Sequence, residues 1–484
     1  MDELLTMSVV EMARRIREGE LSPVEALETH IKRIEEVNPA INAVIATRYE
    51  EALKEAKEAE ERLTKSRDDL PPLFGVPCTI KDTFAVKGLP WSGGVWARRD
   101  LIADEDATVV ERLKRSGAIV MGKTNVPEAA IWCESYNHVY GRTKNPYDLG
   151  RGAGGSSGGE GAIVGAAGSP FGIGSDIGGS IRYPSAFNGV AGHKPTGTMV
   201  PGTGHWPPTE GPLACYNTYG PLARRVSDLA CILPIIAGPD GKDKVVVKKK
   251  IKSPDTVKPA KLKVFYYDHN RQARTNADVR RAVSLAAGAL AGMKIQVEYW
   301  RPKGLGRGMD IWQAGMSQNP EPFKHFLEGD EPISLGKEFL LLLLRRSKIT
   351  MPALGAAIIE RPGKLLKDRN QRFLELAADL QRRIEEKLGN NGVLICPVFS
   401  TPAPKHTWIW LDLFGVGYSG VFNILEFPST IVPIFHREDG VPVSVQVVAG
   451  RWNDHLTLAT AGLLEGIFGG WKPPEMIGQD SGGR

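Results

Sequence analysis

Residues 151–197 read RGAGGSSGGEGAIVGAAGSPFGIGSDIGGSIRYPSAFNGVAGHKPTG, and no other part of the chain is as dense in Gly and Ser. Two clusters organise it: Gly154-Gly155-Ser156-Ser157-Gly158-Gly159 and Asp176-Ile177-Gly178-Gly179-Ser180-Ile181-Arg182. Glycine admits left-handed backbone and close approach by other atoms. Successive N–H groups in such a turn can converge on one anion. A hydroxyl beside that point can attack a carbonyl whose oxygen the N–H groups then hold. The Ile177-Gly178-Gly179-Ser180 turn can supply both the donors and a nucleophile, Ser180.

A serine nucleophile needs a base, and no histidine occurs in this stretch before His193. Upstream, Gly75-Val76-Pro77-Cys78-Thr79-Ile80-Lys81-Asp82-Thr83 places a lysine at the end of an apolar run. A desolvated lysine gives up its charge readily and can serve as a base near neutral pH. Most lysines instead snorkel at the surface, so Lys81 gains weight only beside the two Gly/Ser clusters.

Three rival patterns compete. Gly154-Gly155-Ser156-Ser157-Gly158 fits the G-x-S-x-G nucleophile elbow, with His193, His406, His436 or His455 as base. No strong apolar strand precedes it, as an elbow requires. Gly117 to Thr124 fits the phosphate-cradling G-x-x-x-x-G-K-[ST]. Yet Gly117 follows a predicted helix, the four variable positions are apolar, and Pro127 interrupts any helix to follow. A flexible Gly/Ser linker is disfavoured by the apolar residues that come next.

The two Gly/Ser clusters, with Lys81 75 residues before Ser156 and Ser180 24 residues after it, resemble the amidase signature family of serine hydrolases. Asn125-Val126-Pro127-Glu128, Tyr140-Gly141-Arg142-Thr143, Asn145-Pro146-Tyr147-Asp148, Gln446-Val447-Val448-Ala449-Gly450, Asn453-Asp454-His455-Leu456-Thr457-Leu458-Ala459 and Gly469-Gly470-Trp471 carry the resemblance over nearly the whole chain. Within the family the chain is most similar to the fatty acid amide hydrolases, their type 2 branch especially. The resemblance implies an α/β amidase signature fold: one large mixed β-sheet covered by helices on both faces. It also implies amide hydrolysis through a Ser-Ser-Lys triad and an acyl-enzyme. Ser180 is then the nucleophile, Ser156 the proton relay and Lys81 the base. The N–H groups of Ile177, Gly178, Gly179 and Ser180 would form the oxyanion hole. Ser157, Ser175, Asp176 and Arg182 would support the site, and Ala130, Ile131 and Trp132 would line the substrate pocket. The implied substrates are fatty acid amides or N-acylethanolamines; the alternative is a broad amidase or esterase acting on aryl amides or carbamates.

Composition sets bounds around this reading. The net charge of +5 is small against 61 basic and 56 acidic residues and gives no argument for nucleic acid. Cys78, Cys133, Cys215, Cys231 and Cys396 are odd in number, scattered and without a CxxC. That fits a reduced compartment without a zinc site, and no cofactor or metal is expected. The charged, amphipathic N-terminus has no signal-peptide core, and no stretch approaches the ~18 apolar residues of a spanning helix. The expectation is a cytoplasmic protein, in peripheral contact with a membrane at most.

The pattern predicts a single domain. N-terminal helices occupy 1–70, a catalytic core 71–235, a lysine-rich connection 242–263, and the rest of the core 390–470. Ser22-Pro23 marks a helix start. Strands are predicted at Leu73–Ile80, Ala118–Met121 and Phe171–Ser175, and a short helix at Glu160–Ala167. Strands at Leu262–Tyr267 and Ile295–Tyr299 flank a helix over 277–292, a βαβ pattern. Residues 184–195 read as scaffold for the nucleophile loop, with His193 hydrogen-bonded rather than catalytic. Asp176 and Arg182 read as a structural ion pair. The nine lysines of 242–263 read as a solvated connection, in preference to a contact with anionic lipid. Residues 334–360 hold Phe339-Leu340-Leu341-Leu342-Leu343-Leu344, then Arg345, Arg346 and Lys348. They are a candidate helical cap able to dip into a membrane, and equally a core or dimer-interface segment. A disordered tail is expected over about the last ten residues, and a homodimer from the resemblance.

Overall fold

The computed structural model describes residues 2–329 and 332–475; the expected disordered tail lies outside them. Eleven strands form one mixed sheet: β1 (Val44–Thr47), β2 (Pro77–Lys81), β3 (Ile119–Thr124), β4 (Phe171–Asp176), β5 (Ala191–Lys194), β6 (Thr218–Ala223), β7 (Lys263–Tyr266), β8 (Gln296–Tyr299), β9 (Gly392–Pro397), β10 (Ser429–His436) and β11 (Pro442–Val448). Their spatial order is β1-β3-β2-β4-β6-β5-β10-β11-β9-β7-β8. β2 runs parallel to both β3 and β4, so the three carboxyl ends share one edge. In α/β sheets that edge is where ligands bind. Lys81, the last residue of β2, pairs in register with Thr124, the last of β3, while β4 ends at Asp176.

Every residue of β2, β3 and β4 is buried, as expected of apolar strands covered on both faces. A large core holding Val76, Cys78, Ile80, Val120, Phe171 and Ile173 is joined by a smaller one holding Ile119, Met121, Ala162 and Ile163. Ser22 caps the helix Pro23–Ile41 through its side chain, with Pro23 in the first turn. β7, the helix Ala277–Gly292 and β8 form the predicted βαβ unit, its strands parallel.

Six helices border the site or its approach: α1 (Gly158–Gly165), α2 (Arg182–Phe187), α3 (Gly308–Met316), α4 (Leu335–Leu343), α5 (Met351–Leu365) and α6 (Gly417–Ile424). Pro184, Asn188, Gly189, His193, Lys194 and Pro195, read from sequence as scaffold for the nucleophile loop, fall in or beside α2 and β5. Tertiary pairing overrides weak local propensity here: β5 sits between β6 and β10 and owes its extension to them. The P-loop-like match is strand, with Gly122, Lys123 and Thr124 buried in β3. The 242–263 run is connection, including the exposed Lys248, Lys249 and Lys250. Among the described residues no helix is long and apolar enough to cross a membrane, and all five cysteines are free.

Candidate active site

The site is built where β2, β4 and the turn before α1 meet. Lys81 is wholly buried. Its Nζ donates to Ser156 Oγ at 2.7 Å, to Ser175 Oγ at 2.9 Å and to Ser175 O at 3.4 Å. Burial pulls its pKa down to about 7, against the charges of Asp176 and Glu160, which raise it. A buried amine loses its charge because low dielectric penalises the ammonium.

Ser156 and Ser157 lie in the turn that opens α1. The turn is close-packed: a side chain at Gly155 would collide with the backbone of Trp132, Cys133 and Glu134. Ser157 N–H donates to Ser180 O at 3.1 Å, and Ser157 Oγ to Ser175 O at 3.3 Å. The Ser156 turn therefore grips the second turn through its backbone as well as reaching Lys81.

The Asp176–Arg182 turn is fixed from within. Asp176 Oδ1 accepts from Gly179 N–H at 2.7 Å and Oδ2 from Ile181 N–H at 3.0 Å. The Arg182 guanidinium meets the same carboxylate with Nε at 3.0 Å and Nη2 at 2.9 Å, both residues wholly buried. Burial opposes the carboxylate charge, yet Arg182 outweighs it and holds the Asp176 carboxyl well below its ordinary range. α6 adds Ser419 O as acceptor for Arg182 and Asn423 Nδ2 as donor to Asp176. Two carbonyls of the turn are tied back: Ile177 O accepts from Trp312 Nε1 at 2.9 Å and Gly178 O from Tyr183 Oη at 2.6 Å. Gly179 has φ +125°, and a side chain there would collide with the Tyr183 ring.

Of the four N–H groups expected to hold an oxyanion, one has a partner within the folded turn. The Gly179 N–H is committed to Asp176, because the aspartate side chain closes a local turn onto its own loop. The N–H groups of Ile177, Gly178 and Ser180 carry no such partner among the described residues. Ser180 is partly exposed, and among those residues its Oγ makes no hydrogen bond to protein. The hydrogen-bonded side-chain chain thus runs from Lys81 to Ser156, and Ser180 meets it through its backbone. A buried amine with a lowered pKa, a hydroxyl bonded to it, a partly exposed hydroxyl and N–H groups without a partner are groups that could together support nucleophilic attack on a carbonyl.

None of the elbow histidines is hydrogen-bonded to Ser156. His193 Nδ1 is 2.9 Å from Thr430 Oγ1 and its Nε2 3.2 Å from Asp454 Oδ1, while His406 bonds Glu134 and Leu149 O. Lys123, the P-loop-like lysine, is buried against Asp82 at 3.0 Å and donates to Phe84 O and Pro90 O. No phosphate cradle exists there.

Ala130, Ile131 and Trp132, the residues expected to line a substrate pocket, are half-buried. Ala129 and Ala130 take left-handed φ of 52° and 57°, a conformation that costs a residue with a side chain ~1 kcal/mol. Flanking bonds hold it: Glu128 Oε2 accepts Thr350 N–H at 2.7 Å, and Ala129 N–H donates to Gly93 O. Ile131 packs on a cluster containing Phe323, Leu335, Ile349 and Leu354. Trp132 packs on Trp410, ring centroids 4.1 Å apart, and Trp410 faces Gly355 of α5. Ile131 directly, and Trp132 through Trp410, thereby join the 334–360 segment. The outer surface of that segment is apolar, with Phe339, Leu340, Leu343 and Met351 exposed beside Arg345, Arg346 and Lys348. Trp408, Leu411 (82% exposed) and Phe414 expose further apolar surface in the turn Trp408–Val416.

Sequence reasoning missed Glu160, Thr79, Trp312, Tyr183 and Asn423 as members of the site. Glu160 was visible as the last letter of GGSSGGE; Trp312 and Asn423 lie far along the chain and carry no local signal.

A protein-family model described as Amidase matches residues 25–458. The chain is 37% identical over 493 residues to the fatty-acid amide hydrolase 2 of Homo sapiens, covering 98% of this chain and 91% of that protein. It is 31% identical to the acylamidase of Rhodococcus erythropolis, covering 95% of each. A solved structure of 6-aminohexanoate cyclic dimer hydrolase complexed with substrate is similar with a TM-score of 0.79 at 27% identity, covering 98% of this chain and 99% of that one.

Proposed function

The chain belongs to the amidase family and is a hydrolase of amide C–N bonds, and on that premise we propose that it cleaves fatty acid amides or N-acylethanolamines by a Ser-Ser-Lys triad. One observation carries the triad: a wholly buried lysine, its pKa lowered to about 7, reaching a serine hydroxyl at 2.7 Å. A neutral amine has two N–H groups and one lone pair. The two oxygens of Ser175 satisfy the N–H groups, which leaves the lone pair for the Ser156 proton. Ser156 in turn takes the proton of Ser180 as Ser180 Oγ attacks the carbonyl carbon. The N–H groups of Ile177, Gly178 and Ser180 stabilise the oxyanion, where loss of one donor typically costs ~10²–10³ in rate. The Lys81 ammonium returns a proton through Ser156 to the departing nitrogen, since an amine leaves poorly unless protonated. Water, deprotonated by the same relay, then attacks the acyl-enzyme, and Ser180 recovers its proton.

An apolar acyl chain suits Ala130, Ile131 and Trp132 and their continuity with the α4–α5 surface. The exposed apolar residues beside Arg345, Arg346 and Lys348 suit peripheral contact with a membrane from which such a substrate would come. The small side chain of Ala130 favours a second reading, a broader amidase or esterase that also accepts aryl amides and carbamates. A homodimer is proposed from family likeness. A panel of acyl chain lengths and leaving groups (amide, ester, anilide, carbamate) separates the readings. Rising kcat/KM with chain length to long acyl groups supports the lipid substrate; a maximum at short or aryl acyl groups refutes it. Wild-type amide hydrolysis by a folded Lys81→Ala variant would refute the triad.

A further inference from the structure

Glu160 is a buried carboxyl that the proposed mechanism leaves unused. It lies in the first turn of α1, the helix that begins right after Ser156-Ser157. Its two oxygens are both engaged: Thr79 Oγ1 donates to Oε2 at 2.6 Å and Thr124 Oγ1 to Oε1 at 2.8 Å. Thr79 stands two residues before Lys81 on β2, so the two side chains share a face of the sheet. Thr124 is the residue of β3 paired in register with Lys81. The clamp therefore closes around the root of the lysine. β4 makes room for it, since a side chain at Gly172 would collide with Glu160 Oε2. Three strands and a helix converge on one acid immediately beneath the Lys81–Ser156 pair.

We propose that Glu160 is a positioning residue for Lys81, fixing the lysine's strand to the helix that follows Ser156 through its bonds to Thr79 and Thr124. This rests on the reading of Lys81 as the base. Burial raises the Glu160 pKa to about 8, while the threonine hydroxyls, then Lys81 and Lys123, lower it. Glu160 and Asp176 are the two charges that raise the pKa of Lys81, and Asp176 is already paired with Arg182. The groups facing Glu160 are Lys81 and Cys78 from β2 and Lys123 from β3, with Lys123 itself paired to Asp82. With its pKa above that of Lys81, Glu160 is mainly the neutral acid over the range in which the lysine titrates, so it holds the lysine's strand by hydrogen bonds and not by charge.

Opening the clamp frees the lysine's strand from the helix that follows Ser156, so the reaction slows in protein that still folds. The test is the rate of Ser180 labelling by a fluorophosphonate, and kcat/KM for an anilide, across pH 5.5–9.5, alongside melting curves. Glu160→Gln keeps an acceptor and a donor for the two threonines and should keep most of the rate at the alkaline plateau. Glu160→Ala removes both and should lower that rate by about tenfold or more, the scale on which a misplaced group acts. Thr79→Val removes one bond of the clamp and should lower it by less; Thr79→Ser should leave it unchanged. Plateau rates equal to the wild type's in folded Glu160→Ala and Thr79→Val variants would overturn the proposal and reduce Glu160 to packing. If Glu160→Ala does not fold, Thr79→Val and Thr124→Val decide on the same criterion. Lys81→Ala separates the two ideas: if it hydrolyses the anilide at wild-type rates with the limb intact, the base is misassigned, whatever Glu160 does.

Discussion

Replacing Lys81 by Met should abolish amide hydrolysis and change how the stability of the fold depends on pH. In the folded chain Lys81 sheds its proton at about 7, against an ordinary value of 10.5. Between those values the unfolded chain holds one more proton than the folded one, so wild-type stability rises with pH across that window. The slope from this one residue is ~1.4 kcal/mol per pH unit, or about 2 kcal/mol between pH 7.5 and 9. Met cannot titrate, and its curve should lack this rise. The three hydrogen bonds lost with the amine, at about 1 kcal/mol each, offset the variant's advantage equally at every pH and leave the slope untouched. Glu160 acts in the same sense: without the Lys81 charge its raised pKa climbs further, and an acid that must stay protonated to fold loses stability as pH rises. Urea unfolding of both proteins at pH 7, 8 and 9, followed by tryptophan fluorescence, measures the difference. The wild type should gain on the variant by at least about 2 kcal/mol from pH 7 to 9. Parallel curves would mean that Lys81 folds with its proton on and is no base.

Other outcomes rest on the same geometry. Ser180→Ala should remove fluorophosphonate labelling entirely; surviving label on another serine would displace Ser180 as nucleophile. Arg182→Met leaves the Asp176 carboxylate buried and unpaired, which should cost roughly 3–5 kcal/mol, read as a lowered melting temperature. Gly172→Ala should drive Glu160 out of its clamp and slow labelling of Ser180 in protein that still folds. Leu411→Ser with Phe414→Ser, both on the exposed turn Trp408–Val416, should weaken co-sedimentation with phosphatidylserine-containing vesicles while sparing hydrolysis of a short, water-soluble anilide. Unchanged sedimentation would remove that turn from the membrane face.

Much of the site was legible in the amino-acid order. The run ending at Lys81 and the two Gly/Ser clusters pointed to the groups proposed to react, because tight turns that bring N–H groups and hydroxyls together need glycine locally, whatever the fold around them. The βαβ unit from Lys263 to Tyr299 and the helix start at Ser22-Pro23 arise from periodicity and capping for the same local reason. Contacts between distant segments had no such signature. Trp312 on Ile177 O, Asn423 on Asp176 and the Glu160 bonds to Thr79 and Thr124 join residues up to 247 positions apart. Sequence alone also counted Gly179 among the oxyanion donors, since glycine and an N–H are all that letters show. Only the folded turn reveals that Asp176 takes that N–H. The charge on Lys81 belongs to the tertiary structure as well. The chain supplies an amine, but its pKa is set by how much water the surrounding strands and helix exclude, and desolvation is a property of the packed whole.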